Sequence, residues 1–389
     1  MRLPPRKVLK YYILRLFGGF FFTYVIQAIF LLSRGITSAQ LALYASLTVI
    51  SSTLLEIPTG YIADRFGRKV SVSLGYFVNG LTFFGLLFVY DFTTLAVVAI
   101  FTGLGQALGS GALDALVYDE LQDVAQGSSF LKLKSQGSTL AITAAAFASF
   151  VSPILYVANP LLPFILTGAM CIVSSVYVLS FEETRHSAEV RRALGLIDGI
   201  RAVVKMRPVR LIMLMDMLLL IFVDIYYRVL FFPKINALGM AVQYLGVVDV
   251  ITLAITSVLL FLISRVFFRS DKLTLFVYTL GPAVTFVLFG LSASLVPALI
   301  FGVLFDPLWN IRQHIVPSLT NQYFETRSRA LSLSSVSFVS NLGSAILLPL
   351  AVLLFDSSYL YALIPFALIL ALLAIYPANP DPLAASVEA

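Results

Sequence analysis

Cysteine and histidine are almost absent from this chain, and their scarcity excludes several kinds of site. The 389 residues include one cysteine, Cys171, and two histidines, His186 and His314. One cysteine cannot form a disulfide or a thiolate metal site, and two histidines are too few for a histidine-based metal cage. The GxSxG, HExxH and phosphate-loop patterns of familiar enzymes are missing as well. We therefore expect no enzyme activity, no metal and no cofactor.

Charged residues are also scarce, and apolar residues take their place. Only 12% of the residues are charged, 59% are hydrophobic, and the mean hydropathy is +0.95. A soluble domain carries about twice that share of charge, and the chain has no long polar stretch from which to build one. Most of the apolar surface must therefore face lipid.

Twelve apolar runs of about 20 residues predict twelve transmembrane helices. We call them spans 1 to 12. They are expected near residues 11–33, 39–63, 69–90, 93–118, 131–157, 162–181, 210–232, 241–264, 273–292, 295–318, 330–354 and 358–376. The predicted fold class is an all-α membrane protein.

The basic residues predict the orientation of these helices. Of the 26 lysines and arginines, 21 lie in the amino-terminal tail or in the loops after spans 2, 4, 6, 8 and 10. Only Arg34 and Lys234 lie in the alternate loops. The positive-inside rule therefore predicts that both termini are cytoplasmic in a protein of the cell membrane. The net charge of +6 follows from this topology and does not indicate a nucleic-acid partner.

The loop between spans 2 and 3 carries a recognisable motif. Residues 60–69 read GYIADRFGRK, and residues 56–59 before them read EIPT. This string resembles the G-x-x-x-D-R-x-G-R-K/R loop of major facilitator superfamily transporters, and the E-x-P-T-G start is similar to that of bacterial drug and metabolite exporters. The resemblance implies two pseudo-symmetric six-helix bundles that rock to expose a central site alternately.

The internal organisation of the chain agrees with that resemblance. Spans 1 and 7 begin about 200 residues apart, as do several later pairs. We predict an amino-terminal bundle at 1–181, a cytoplasmic linker at 182–209 and a carboxy-terminal bundle with a short tail at 210–389. The apolar residues Val190, Leu194, Ile197, Ile200 and Val204 recur at helical spacing and predict an amphipathic linker helix on the anionic inner leaflet. The alternative is a plain exposed linker.

Ionisable residues inside the spans predict a polar pathway. In the family, helices 1, 4, 7 and 10 line the cavity, and eight of ten such residues lie on the corresponding spans, with the other two on spans 2 and 8. These ten residues are Arg15, Glu56, Asp114, Asp216, Asp224, Arg228, Asp249, Asp306, Arg312 and His314. Since none lies on the spans expected to face lipid, the chain is predicted to enclose a polar route.

Depth along the spans divides the predicted roles. Asp306 lies near mid-membrane with no basic residue three or four positions away, so it is the first-choice proton or cation site. Asp224 is second, because Arg228 lies one helical turn away and pairs with it. The predicted proton or substrate pathway comprises Asp306, Asp224, Arg228, Asp249, Arg312, Gln106 and Asp114.

A second set is predicted to form the cytoplasmic gate. Asp64 is expected to face the positive amino-terminal end of span 11 near residues 328–330. Arg65 or Arg68 is expected to bind Asp119. Arg15 is expected to meet Asp216 or Glu56, or else to extend to the inner membrane interface. The predicted gating residues are Gly60, Asp64, Arg65, Gly67, Arg68, Lys69, Asp119, Arg15, Asp216 and Glu56.

These features predict a monomeric secondary active transporter. The favoured function is proton-coupled export of a small organic compound, cationic or amphipathic because carboxylates outnumber arginines along the pathway. The expected partners are this compound, protons and membrane lipids. A proton-linked importer or facilitator is the alternative, since the family transports in both directions and span 4 lacks the arginine common in its drug antiporters. A receptor or scaffold without transport is a remote third reading.

Overall fold

The computed structural model describes residues 5–121, 128–183, 194–263, 271–321, 323–324 and 329–376. All regular elements among these residues are helices, which confirms the predicted fold class. The twelve spans comprise Arg6–Gly19 with Gln27–Ser33, Ser38–Phe66, Arg68–Leu86, Phe92–Gly109 with Ala112–Leu121, Ser128–Ala158, Leu162–Val178, Arg207–Ile225 with Tyr226–Leu230 and Phe231–Ala237, Val242–Tyr244 with Leu245–Ile263, Asp271–Leu291, Leu295–Asn321, Arg329–Ser357, and Tyr359–Ala362 with Leu363–Ile375.

Length and composition mark several of these helices as able to cross a membrane. Among the described residues, six stretches on spans 2, 4, 5, 8, 10 and 11 are both long and apolar enough. Shorter apolar helices occupy spans 6, 9 and 12.

Spans 1, 4 and 7 are interrupted, although the hydropathy pattern predicts continuous helices. In span 1, residues 20–26 form turns, and Thr167 accepts the Phe22 N–H at 3.0 Å while Ser152 donates to the Phe22 carbonyl. In span 4, Gly111 has a positive φ of 69° between two helices. In span 7, Tyr226–Leu230 is a π-helical turn. Hydropathy does not detect such breaks because it averages over about 20 residues and is insensitive to backbone geometry.

The motif at 60–69 is not the loop that its sequence predicts. Residues 60–66 continue span 2, and span 3 begins at Arg68. Gly67 alone separates the two helices, with φ 100° and ψ 148°. Backbone in that region is essentially restricted to glycine, so this glycine makes the sharp turn possible.

The chain divides into two compact units. Unit 1 comprises Met1–Ile36, Leu47–Val190 and Ala241–Val250, and unit 2 comprises Thr37–Ser46, Arg191–Met240 and Ile251–Ala389. Each unit thus includes a short segment from the opposite half of the sequence. Within unit 1, Gly246 of span 8 packs directly against the backbone of Ser149 and Phe150 on span 5. The predicted domain boundaries at 181 and 210 stay a prediction.

The linker contains the helix Leu194–Lys205, and residues 184–193 lie outside the described part. Val203 is 1% exposed and packs in unit 2 with Val209, Phe324 and Val336. Val204, on the apolar side predicted to face lipid, is 38% exposed. The helix is therefore anchored to protein through a residue outside the predicted apolar set, and its contact with lipid stays a prediction.

The two basic residues of the alternate loops each bind the end of a helix within their own unit. Arg34 Nη1 donates to the carbonyls of Leu87 and Val89, at 2.6 and 3.2 Å, where span 3 ends. Lys234 Nζ donates to the carbonyl of Gly290 at 2.5 Å, where span 9 ends. Cations stabilise the carboxyl ends of helices because unpaired carbonyls carry partial negative charge there.

Candidate functional site

Asp306 is the centre of a buried polar cluster in unit 2. Asp306 as a whole residue is 7% exposed to solvent. Tyr227 of span 7 donates a hydrogen bond to Oδ1, Thr256 of span 8 donates to Oδ2 at 2.5 Å, and Asn310 donates to Oδ2 at 3.2 Å. Three spans therefore converge on one carboxylate, which the sequence placed on span 10 without indicating its neighbours.

The π-helical turn of span 7 orients this cluster. Tyr226 donates to the carbonyl of Gly302 at 2.8 Å, and its ring centroid lies 4.3 Å from that of Phe305 on span 10. The adjacent Tyr227 then reaches Asp306. A π-helical turn inserts one residue into the helical ladder and is frequent at functional sites. Here it allows two consecutive tyrosines to contact the same neighbouring helix.

The charge of Asp306 is not balanced by a cation among the described side chains. The ion pairs found in that part of the chain involve other carboxylates. Asp306 therefore lacks a basic partner on its own helix and also among the described side chains of the other helices. A buried ionised carboxylate is costly without a cationic partner, even where neutral groups donate hydrogen bonds. Binding a proton removes that cost.

Two ion pairs involve other charged residues of spans 7 and 10. Asp224 accepts from Arg228 Nε at 3.0 Å, as their spacing predicts. Asp216 accepts from Arg312, whose side chain is 2% exposed. The Trp309 ring lies 5.6 Å from the Arg312 guanidinium. Arg312 is therefore held by a carboxylate and an aromatic ring, and the side chain of His314 lies outside the described set.

The partners expected for Arg15 differ in the structure. Asp216 pairs with Arg312, and Glu56 accepts a hydrogen bond from Ser110 at 3.2 Å. Both carboxylates thus have another partner, because span 10 and span 4 each place a donor beside them that helical spacing cannot reveal.

Asp249 is 5% exposed and belongs to unit 1, whereas Asp306 belongs to unit 2.

The motif turn is held by two carboxylates of unit 1. Arg68 pairs with Asp119 at 2.9 Å, whereas Arg65 reaches the Tyr61 hydroxyl at 3.4 Å. Glu183, which the sequence gave no reason to single out, accepts the backbone N–H groups of Arg68 and of Lys69, the latter at 3.4 Å. It therefore caps span 3. Its only sequence signal is a Glu-Glu pair directly after the apolar run of span 6.

A third carboxylate extends this network to the amino-terminal end of span 1. Glu120 pairs with Lys10 at 3.5 Å and accepts the N–H of Glu182 at 2.7 Å. Lys7 pairs with Glu182 at 3.0 Å. Spans 1, 4 and 6 of unit 1 are thus joined by ion pairs and caps. Asp64 is exposed, and its predicted contact with residues 328–330 stays a prediction, because residue 328 and the side chains of 329–330 lie outside the described part.

Polar side chains on spans 1, 2, 4 and 5 of unit 1 make a set that we call the inner polar face. Three contacts join these spans in pairs: Ser110 with Glu56 at 3.2 Å, Lys134 with Asp114 at 3.1 Å, and Tyr12 with Gln136 at 2.6 Å. The members of the face are Tyr12, Arg15, Glu56, Gln106, Ser110, Asp114, Lys134, Gln136, Thr139 and Thr143. Gln106 and Asp114 are exposed, and their place in a pathway stays a prediction.

No metal centre is formed by the described residues, where no group of three or more His, Cys, Asp or Glu side chains converges.

Comparison with known proteins finds a related sequence and solved structures of similar fold. An uncharacterized MFS-type transporter of Bacillus subtilis (strain 168), YxaM, is 26% identical over 167 residues, which is 41% of each chain. Among solved structures, the nucleoside transporter NupG matches with a TM-score of 0.80 at 12% identity, over 96% of this chain and 99% of that one. A D-xylose-proton symporter matches with a TM-score of 0.69 at 16% identity, over 96% and 98%.

Both structural likenesses establish the fold alone at these identities. The family model described as Major Facilitator Superfamily matches residues 11–320, which is most of the sequence. The resemblance drawn from the motif is thereby confirmed. The chain belongs to the major facilitator superfamily and is a multi-pass membrane transporter.

Proposed function

We propose that this transporter is a proton-coupled secondary active exporter of a small organic compound. The observation that carries the coupling is Asp306, a buried carboxylate that receives hydrogen bonds from Tyr227, Thr256 and Asn310 but no ion pair from the described residues. In its ionised form this site requires compensation that three neutral donors supply only in part. A proton supplies the rest.

Alternating access connects that proton to transport. Tyr227 belongs to the π-helical turn of span 7 and Thr256 to span 8. When Asp306 binds a proton, one oxygen becomes a donor and the carboxyl group accepts fewer hydrogen bonds. The contacts among spans 7, 8 and 10 then rearrange. A conformational equilibrium responds to a ligand only through such a difference in contacts.

Export as the direction rests on the motif. The EIPTG start and the complete GYIADRFGRK string are similar to those of bacterial exporters. The pair Arg68–Asp119 and the Glu183 cap fasten the cytoplasmic end of unit 1, as a gate that opens and closes requires. Import with protons is the second candidate, in keeping with the fold shared with a D-xylose-proton symporter.

Infrared difference spectroscopy of the reconstituted protein tests the proton site without knowledge of the substrate. Between acidic and alkaline buffer we expect a protonated-carboxyl band that is absent from Asp306→Asn and retained in Asp224→Asn, whose carboxylate is paired with Arg228. A band that persists in Asp306→Asn refutes the assignment. Proteoliposomes with a pH gradient of either sign then test direction. Uptake driven by protons moving with the substrate contradicts export.

A further inference from the structure

The inner polar face of unit 1 has a charge balance and a hydrogen-bonding pattern that point to a class of substrate. Its acidic members are Glu56 and Asp114, and its basic members are Arg15 and Lys134. Asp114 and Lys134 are paired at 3.1 Å. The charges of the face cancel, so neither a cation nor an anion finds a net opposite charge there.

The hydroxyl groups of span 5 are arranged as acceptors. Gln136, Thr139 and Thr143 are exposed and recur at steps of three and four, so they lie on one side of the helix. Thr139 donates to the Ser135 carbonyl at 3.0 Å, and Thr143 donates to the Thr139 carbonyl at 2.8 Å. Since a hydroxyl has one hydrogen to donate, both oxygens are left to accept from a ligand.

Two further contacts add to the same pattern. The Ser110 hydroxyl donates to Glu56, so its oxygen also remains an acceptor, and Glu56 offers a second carboxylate oxygen. Tyr12 donates to the Gln136 side-chain oxygen, which leaves the amide hydrogens of Gln136 as donors. The acceptors of Glu56 and of the hydroxyl groups therefore belong to the same face as the donors of Arg15, Lys134 and Gln136. A ligand that matches the face must bring groups that both donate and accept hydrogen bonds, as hydroxyl groups do.

An aromatic group lies at the end of this row. Phe147 follows Thr143 by one helical turn and is 57% exposed. Its ring meets the ring of Phe20 edge to face, with centroids 6.2 Å apart, where span 1 is interrupted. An exposed ring next to hydroxyl acceptors suits a compound that has one apolar ring face and polar edges, as in sugars and their glycosides.

We infer that the inner polar face recognises a small neutral ring compound rich in hydroxyl or amino donors. This inference rests on the proposed transport function and replaces the cationic or amphipathic class that the count of carboxylates predicts. That count misleads because Asp114, Asp216 and Asp224 are each paired with a basic side chain of the same unit.

A binding screen across three charge classes tests the inference. The purified protein in nanodiscs is examined by thermal shift with neutral probes (D-xylose, D-glucose and uridine), cationic probes (tetraphenylphosphonium and choline) and anionic probes (benzoate and lactate). We expect stabilisation by at least one neutral probe and by no charged probe. Stabilisation by a charged probe alone, or by none of the seven, overturns the inference.

Substitutions then locate the site. Thr139→Val and Thr143→Val remove an acceptor with little change in shape, and each should weaken binding of the neutral probe by roughly 2- to 10-fold. Ser257→Ala is the matched control, because this exposed hydroxyl on span 8 also donates to the carbonyl four residues earlier, at 2.8 Å, but lies outside the face. Wild-type affinity in both threonine variants overturns the assignment.

Two readouts separate this inference from the proposed proton coupling. Binding of the neutral probe to the wild type is measured at one fixed pH without a gradient, so this readout does not require net proton movement. A wild type that binds the neutral probe but whose flux does not respond to a pH gradient refutes the coupling alone. A wild type whose flux responds to a pH gradient but that binds only a charged probe refutes the recognition by the inner polar face alone.

Discussion

Replacement of Gly67 by alanine is expected to open the first turn of span 3. The residue has φ 100° and ψ 148°, a region that is essentially restricted to glycine, and a non-glycine residue held there costs about 1–3 kcal/mol. An added Cβ would also lie 2.6 Å from Glu183 Oε2. The carboxylate must then withdraw from the N–H groups of Arg68 and Lys69, and loss of a helix cap costs about 0.5–2 kcal/mol. The two effects together reach about 1.5–5 kcal/mol.

Hydrogen exchange measured by mass spectrometry can detect this local loss. Amides at 68–72 should exchange roughly 10-fold faster or more in Gly67→Ala, since each 1.4 kcal/mol corresponds to a factor of about ten. Gly60→Ala is the control from the same motif, because Gly60 lies inside the helix of span 2 and an added Cβ there meets nothing within 4 Å. That variant should exchange like the wild type or more slowly. If both variants behave alike, the reasoning about Gly67 and Glu183 is refuted.

Two further predictions follow from ion pairs and surface charge. Asp216→Asn should destabilise the protein by about 3–5 kcal/mol, because it leaves the buried Arg312 without its carboxylate. Thermal unfolding should show this loss of stability, and the additional change Arg312→Met should restore a large part of it. Equal stability of Asp216→Asn and wild type contradicts the pairing. The double variant Arg201→Gln, Lys205→Gln should weaken attachment of the linker helix to anionic lipid by about 1 kcal/mol per charge. Transport in liposomes should then depend less on the content of anionic lipid. An unchanged dependence refutes a role for these charges.

The periodic features of the sequence predicted the fold well. Apolar runs located twelve helical spans, since lipid exposure requires a length and composition that few other structures share. The i, i+4 spacing of Asp224 and Arg228 predicted a contact that one helix suffices to make. Predictions of this kind depend only on residues near each other along the chain.

Contacts between distant segments were beyond that reach. Tyr227 and Thr256 meet Asp306 from 79 and 50 residues away, and Glu183 caps Arg68 from 115 residues away. Nothing in the local pattern marks these donors, because tyrosine, threonine and glutamate occur throughout membrane proteins and their loops. The same limit applies to Asp216 and Glu56, which were expected as partners of Arg15 but bind Arg312 and Ser110; the alternative that Arg15 extends to the membrane interface stays a prediction.

The caps supplied by Arg34 and Lys234 hold one helix end in each half of the sequence through contacts within that half. Each cation binds the carbonyl end of a helix from its own unit, span 3 in one and span 9 in the other. The two residues are 200 positions apart in the sequence, which is also the offset between corresponding spans of the two halves. The donor and the acceptor of each cap thus lie in the same half of the sequence, and neither cap involves a residue of the linker. A chain cut within that linker and expressed as two polypeptides would keep both caps whole.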